Sequence, residues 1–285
     1  MLGVALWAWS MRGRNAASLP ILWRTPGVRV VAVDADGAVL GAVPRDYEHK
    51  AVLVDRKTGR IESSLQADVD PNEVALLTGG GFAWFSRRYY GRPGMMWRRG
   101  EGVTTFRHAD RPRSGLLSGL RSDGPLLKWR RSYAPLDNDP PPPEYYEFDL
   151  RTGRRWSREA EPEELSRQPQ PRSGLVRPTH LPGGAFITRD RLVGDLIVAE
   201  WTRKSGFGGR RFGRRTWESG VTVFRRHEEV LRPVGIVCDR RTNFYLFGKV
   251  LKSWPPNPVG TVVLDPAGDR IYVCGRDGTT AYSVR

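Results

Sequence analysis

The sequence predicts an all-β protein assembled from repeated modules, and three observations predict it. The first is a turn that recurs. Val54-Asp55-Arg56-Lys57-Thr58-Gly59-Arg60-Ile61 returns as Phe148-Asp149-Leu150-Arg151-Thr152-Gly153-Arg154-Arg155-Trp156, and more loosely as Leu264-Asp265-Pro266-Ala267-Gly268-Asp269-Arg270-Ile271. Each copy sits between two apolar runs. Asp accepts hydrogen bonds from backbone N–H groups just downstream, and Gly supplies the positive φ that reverses the chain. The second observation is spacing: the turn glycines Gly37, Gly81 and Gly124 stand 44 and 43 residues apart. The third is that no stretch of ten or more residues carries a convincing amphipathic helical pattern, which argues against an α/β enzyme fold.

The elements follow in order. Period-two alternation bounded by Gly, Asp and Pro marks one strand after another. A spacing of some forty residues is the length of one four-stranded propeller blade. Five such blades are expected, at roughly 29–66, 73–112, 114–158, 175–232 and 233–274, with either Gly184 or Gly194 marking the first turn of the fourth. Residues 151–180 include Glu159, Glu161, Glu163, Glu164 and a Gln168-Pro-Gln-Pro171 run, which reads as an exposed polar insert. The tail, 275–284, is one further strand without a partner of its own. A circular fold removes that open edge by pairing the tail with the N-terminal strand, for which residues 4–10 and 21–24 are the candidates. The expectation is therefore a β-propeller of five to six blades over 29–285, closed by its two ends, with 1–28 as an N-terminal segment.

A longer echo suggests an internal duplication. Gly102-Val-Thr-Thr-Phe106 matches Gly220-Val-Thr-Val-Phe224 at an offset of 118, and Trp84 matches Trp201 at 117. The Pro140 to Pro143 run and Pro255, Pro256 and Pro258 stand at a similar offset. The Pro run is read as stiffening a long hairpin loop.

The paired Asp-x-x-Thr-Gly turns at Asp55 to Gly59 and Asp149 to Gly153, with Asp265 to Gly268 as a looser copy, resemble the repeat of WD40-like and quinoprotein-like β-propellers. The resemblance implies inner strands around a central channel. It implies no activity, since a fold hosts many functions. The Trp-Asp dipeptide of WD40 repeats is absent.

Composition narrows the chemistry. The formal net charge is +15, carried mostly by Arg. Arg-rich codon usage spread over a solvated surface accounts for the global excess; clustering is what points to a partner. Two connections between second and third strands (b–c loops) cluster Arg with aromatic residues. One runs 87–99 and offers Arg87, Arg88, Tyr89, Trp97, Arg98 and Arg99; the other runs 203–217 and offers Arg203, Lys204, Phe207, Arg210, Arg211, Phe212, Arg214 and Arg215. Guanidinium groups pair bidentately with phosphate or carboxylate, and neighbouring rings stack on bases or sugars. The expected function is a non-catalytic, monomeric scaffold binding an acidic protein or a polyanion, nucleic acid included, through one face carrying both loops.

The alternative is a propeller hydrolase or lyase acting on an anionic sugar or ester. Asp46, Glu48 and His49 are its acid–base candidates, although an exposed polar turn is the simpler account of them, since no nucleophile or second base stands at a suitable spacing. His108, His180 and His227 form no pair with metal-ligand spacing. No metal or cofactor is expected. Cys238 and Cys274 lie in apolar runs and read as buried free thiols. The uncharged stretch Leu2 to Met11 falls short of the roughly 18 residues that span a bilayer. It reads as a strand of the fold, or as the end of a longer membrane anchor if the chain begins upstream. Cytoplasm is the default compartment, with export or anchoring as alternatives.

Overall fold

In a computed structural model of the chain, the three Asp–Gly turns close in the same way. Asp55 Oδ1 accepts from the backbone N–H of Lys57 at 2.6 Å and of Thr58 at 3.0 Å, while Gly59 donates to the Asp55 carbonyl at 2.8 Å. Asp149 Oδ1 accepts from Arg151 N–H at 2.8 Å, and Gly153 donates to the Asp149 carbonyl at 2.8 Å. Asp265 Oδ1 accepts from Ala267 N–H at 3.0 Å, and Gly268 donates to its carbonyl at 2.9 Å. All three glycines have positive φ.

The structure describes residues 18–45, 48–71, 73–85, 94–106, 116–132, 143–158, 176, 180–208, 212–227, 230–246, 249–253, 261–275 and 277–285. Among them there is no α-helix, so no helix long and apolar enough to cross a membrane. The strands form five antiparallel sheets and fall into two compact units.

Residues 27–169 form one unit. Its first sheet is a meander of β2 (Arg29–Val33), β3 (Val39–Arg45), β4 (Glu48–Val54) and β5 (Ile61–Asp68). The second runs β6 (Val74–Leu76), β7 (Phe82–Phe85), β8 (Gly94–Arg98) and β9 (Gly102–Phe106). The third runs β10 (Leu116–Asp123), β11 (Leu126–Ser132), β12 (Glu144–Asp149) and β13 (Arg155–Arg158). Each has the strand order of a propeller blade, and the three span 29–68, 74–106 and 116–158. The sheets stack face to face. Along β7 the side chains alternate: Phe82 and Trp84 pack with Leu40, Ala42 and Ala51 of the first sheet, while Ala83 and Phe85 pack with Leu120, Leu127 and Trp129 of the third. All four are buried, so this strand is apolar throughout rather than alternating.

Buried carboxylates tie neighbouring sheets together. Asp34, at the end of β2, is only 2% exposed. Its Oδ1 accepts from Ala38 N–H in its own turn and its Oδ2 from Gly81 N–H in the second sheet, both at 2.7 Å. Glu73 Oε2 reaches Leu120 N–H of the third sheet at 3.1 Å. Gly81 has φ +100°, and a Cβ there would lie 2.2 Å from the Trp97 carbonyl oxygen. Only glycine lets the turn sit that close.

Residues 1–26 and 170–285 form the other unit. One sheet holds β14 (Ala185–Val193), β15 (Leu196–Gly208), β16 (Phe212–His227), β17 (Val230–Leu246) and β18 (Lys249–Ser253). Gly194, with positive φ, makes its first turn, which settles the choice against Gly184. The last sheet orders β19 (Val262–Leu264), β20 (Arg270–Gly275), β21 (Gly278–Ser283) and β1 (Ile21–Pro26). The C-terminal strand does pair with an N-terminal one, Trp23 opposite Ala281 and Thr25 opposite Thr279. Residues 4–10, the other candidate partner, lie outside the described residues. Val198, Val221 and Val223 of the five-stranded sheet pack on Val262, Ile271 and Val273 of the last. Its other face packs Ala199, Trp201 and Phe224 with Val176 and Leu181.

Two expectations need correction. No blade begins at 233: residues 230–246 are one strand paired with β16 from Val230 to Leu246. The fifth sheet is instead 262–283 with β1. Pro233, read as a boundary, sits opposite Phe224 at a register shift, where a missing N–H and a bulge are tolerated. The duplication also holds only in part. Trp84 and Trp201 both occupy second strands and are fully buried. Gly102 to Phe106, however, form a fourth strand, and Gly220 to Phe224 lie in a third. The Pro140 to Pro142 and 255–258 segments lie outside the described residues. Cys274 is, as expected, a buried thiol outside any disulfide, with Thr279 Oγ1 at 3.3 Å from its sulfur; the Cys238 side chain lies outside the described residues.

Two predictions follow from these contacts. Asp34→Ala leaves two buried N–H groups without an acceptor and should lower stability by about 2–4 kcal/mol in urea unfolding; Lys57→Ala, at an exposed turn, should change it by under about 0.5 kcal/mol. Backbone donors hold the Asp55 carboxyl below its usual value, Thr58 N–H first, and Arg151 N–H does the same for Asp149. A depressed folded-state pKa stabilises above the unfolded pKa and is lost as pH falls through the folded one. The Asp55→Asn/Asp149→Asn variant should therefore be less stable than wild type at pH 7. That gap should close below about pH 4 when melting is followed against pH.

Candidate functional site

Within a meander, the second and third strands are joined at one end and the third and fourth at the other. That places the sequence-predicted site residues. In the first sheet the second-to-third connection is 46–47, in the second sheet 86–93, and in the five-stranded sheet 209–211. Asp46, Arg87, Arg88, Tyr89, Arg210 and Arg211 lie outside the described residues. Glu48 stands opposite Arg45, and His49 opposite Pro44, in the β3–β4 ladder. The His49 carbonyl accepts from Val69 N–H at 2.7 Å. Among the described residues no carboxylate is hydrogen-bonded to the His49 ring, and no group of three His, Cys, Asp or Glu could hold a metal. His227 is exposed at the end of β16; His180 is exposed and edges the Phe224 ring at 6.1 Å.

The stretch 87–99 is not one loop. Residues 94–98 are strand β8, and Trp97 is buried in the core, stacked on Phe82 with centroids 5.7 Å apart. Arg98 pairs with Gly102 and Arg99 is exposed in the turn that follows. Both therefore sit at the far end of β8 from the 86–93 connection, about 13–17 Å along the strand. Trp97, Arg98 and Arg99 do not belong with Arg87, Arg88 and Tyr89.

The stretch 203–217 is not a loop either. β14 ends its pairing with β15 at Ala185 opposite Arg203. β15 and β16 nevertheless continue as a regular ladder from Arg203–Glu218 to Gly208–Gly213. β17 follows β16 outward, from Glu218–Arg240 to Phe212–Leu246, and β18 adds to β17. The result is a four-stranded arm. Residues 203–217 hold six Arg or Lys and no Asp or Glu, and 240–253 hold four and none. The sequence signal for the second half was present in Arg240, Arg241, Lys249 and Lys252, but it was assigned to a separate blade.

Glu218 closes the root of the arm. It is 3% exposed and accepts from Arg203 Nε at 2.7 Å and from a second Arg203 nitrogen. Arg203 Nη1 also donates to the Gly183 carbonyl at 3.3 Å. Arg203 is thus spent on an internal ion pair, whereas Lys204 is exposed.

In two sheets a ring lies against a glycine of the neighbouring strand. Gly94 stands opposite Phe106 and a Cβ there would be 2.1 Å from that ring; Gly220 stands opposite Trp201 and a Cβ would be 2.3 Å from the indole. Any side chain at either glycine would displace the aromatic. The Trp201 N–H donates to Thr222 Oγ1 at 3.0 Å, so the indole is satisfied while buried.

No family model matches the chain, and no curated protein matches it. Solved structures do. The chain is similar to the C-terminal WD40 domain of Sif2, with 10% identity and a TM-score of 0.33 over 90% of this chain and 81% of that one. It is likewise similar to a chain of the Mitotic Checkpoint Complex, with 10% identity and a TM-score of 0.30 over 94% of this chain and 93% of that one. Likeness of that depth assigns no partner and no chemistry.

Trp97→Ala should behave as a core truncation. We expect a loss of about 3–5 kcal/mol in denaturant unfolding, with Arg99→Ala near zero.

Proposed function

We propose that the chain is a non-catalytic β-propeller scaffold that binds an anionic partner, an acidic protein or a polyanion, through the arm of its five-stranded sheet. The observation that carries this is the ladder from Arg203 outward: a regular, paired extension with cations at eight ladder positions, in stretches 203–217 and 240–253 whose sequence holds no Asp or Glu. A solvated loop built from an Arg-rich composition has no reason to keep a register. A paired ladder fixes the spacing of its charges, and a fixed array of Arg matches carboxylate or phosphate groups better than a mobile one. Among the described residues, Glu218 at the arm's root accepts from Arg203. Arg87, Arg88 and Tyr89 offer similar chemistry at the second-to-third connection of the second sheet.

The test is charge reversal of Arg210, Arg211, Arg214 and Arg215 to Glu. Wild type should be retained on heparin and released by salt. The variant should lose at least about tenfold in affinity at low ionic strength, with an unchanged melting temperature for the rest of the protein. A wild type that binds no anionic probe, or a variant that binds as well as wild type, overturns the reading.

A further inference from the structure

Resting on that reading, we infer that the anionic partner docks as an extended acidic peptide, added as a strand to the edge of β15 that β14 leaves at the root of the arm. β14 starts from a tight turn. Ala185 N–H donates to the Pro182 carbonyl at 3.0 Å, Gly184 has φ +75°, and the Gly183 carbonyl accepts from Arg203 Nη1 at 3.3 Å. That turn takes the chain away from the ladder at Ala185–Arg203, the last pair in that direction. β15 continues to Gly208, and its pairing with β16 continues with it. Among the described residues no strand pairs with the other edge of β15 from Lys204 to Gly208.

In a paired strand the backbone N–H and C=O groups of successive residues point alternately to the two sides, so this edge presents donors and acceptors in line. Proline and charge, which blunt exposed edges, are absent from Ser205-Gly-Phe-Gly208. An added strand takes the line that β14 holds below it, and it enters beside Phe186. That side chain is 70% exposed, more than any other large apolar one among the described residues. Phe186 stands opposite Thr202; Lys204, two residues on, shares their face. Thr202 and Lys204 are exposed as well. A ring, a hydroxyl and an ammonium thus stand together where the edge opens.

Charge selects the occupant. The added strand lies about 10 Å from β16, where Arg214 and Arg215 stand opposite Phe207 and Gly206. That distance is about one Debye length at 0.1 M salt, so a strand bearing carboxylates is attracted and a cationic one repelled. The phosphates of a nucleic acid only accept hydrogen bonds and leave the C=O groups of the edge unmet, whereas a peptide backbone supplies both partners.

The experiment measures fluorescence anisotropy with the full chain and three probes of equal charge: a peptide of alternating Glu and Thr, the same peptide N-methylated at its central residues, and oligo-dT. The unmodified peptide should bind at least about tenfold more tightly than its N-methylated counterpart, the change expected when two backbone hydrogen bonds are lost. Its binding should slow amide hydrogen exchange over 204–208. Phe186→Ala, a change at an exposed position, should fold as wild type does and bind the unmodified peptide about fivefold more weakly. Equal affinity for the two peptides, unchanged exchange over 204–208, full affinity in Phe186→Ala, or tighter binding of oligo-dT than of the unmodified peptide overturns the inference while leaving the anionic-partner reading intact. Absence of binding to all three probes overturns both.

Discussion

A sheet buried on both faces must satisfy its backbone at the turns without water, and the 27–169 unit is organised around that constraint. Its middle sheet is apolar on both sides, with Phe82, Ala83, Trp84 and Phe85 all buried in sequence. Its turns lie where neighbouring sheets come close, so their N–H groups cannot all reach solvent. Asp34 and Glu73 supply the missing acceptors, each reaching a backbone N–H 47 residues further along the chain. A buried N–H without an acceptor costs about 1–3 kcal/mol, and a charged acceptor gives a stronger bond than a neutral one. The interaction also sets spacing: the carboxylate and its target must come together module after module. Gly81 completes the arrangement, because its missing Cβ lets the turn approach both Asp34 and the Trp97 carbonyl.

The turns were legible in the sequence because their chemistry is local. Through Oδ1, Asp55, Asp149 and Asp265 each accept from N–H groups within three residues, so the turn motif explains itself locally; Asp265 adds an Oδ2 bond from the Tyr272 hydroxyl in the next strand. The pairing of the tail with an early strand was legible for a different reason: an odd strand at the end of a meander needs a partner, and only the N-terminal region could supply one. Asp34 and Glu73 were not legible. They stand at different places, one after a first strand and one before it, and their partners are in the next module. Nothing in a one-dimensional pattern joins them.

The arm shows where period-two reasoning fails. Residues 233–246 alternate as any strand does, and Pro233 before them looks like a start. Strand length is decided by the partner, and β16 offers one continuous ladder across that proline, with the shift between Val223 and Phe224 absorbing it. In 94–98, Met95 and Met96 interrupt the alternation that marks a strand, and β8 owes its place to the stacking of Trp97 on Phe82. Clusters of Arg and aromatic residues mark both regions in the sequence. They do not say which residues are strand, which are core, and which face a partner.

The register also explains how a sheet accommodates so many like charges. Cations directly opposite one another in a ladder are destabilising. In the arm no two cations are adjacent in any row. Arg203 and Arg240 flank Glu218; Lys204 and Arg241 flank Trp217; Arg214 lies between Phe207 and Phe244; Arg215 lies between Gly206 and Asn243. At the opposite end of the same ladder Arg225 stands directly opposite Arg232, and there Asp195 is hydrogen-bonded to Arg225 at 3.0 Å. One end thus sets a carboxylate beside its facing arginines, while along the arm's rows the cations alternate with Glu218, Trp217, Phe207, Phe244, Gly206 or Asn243. Spacing of this kind avoids the repulsion between directly opposed cations in a ladder.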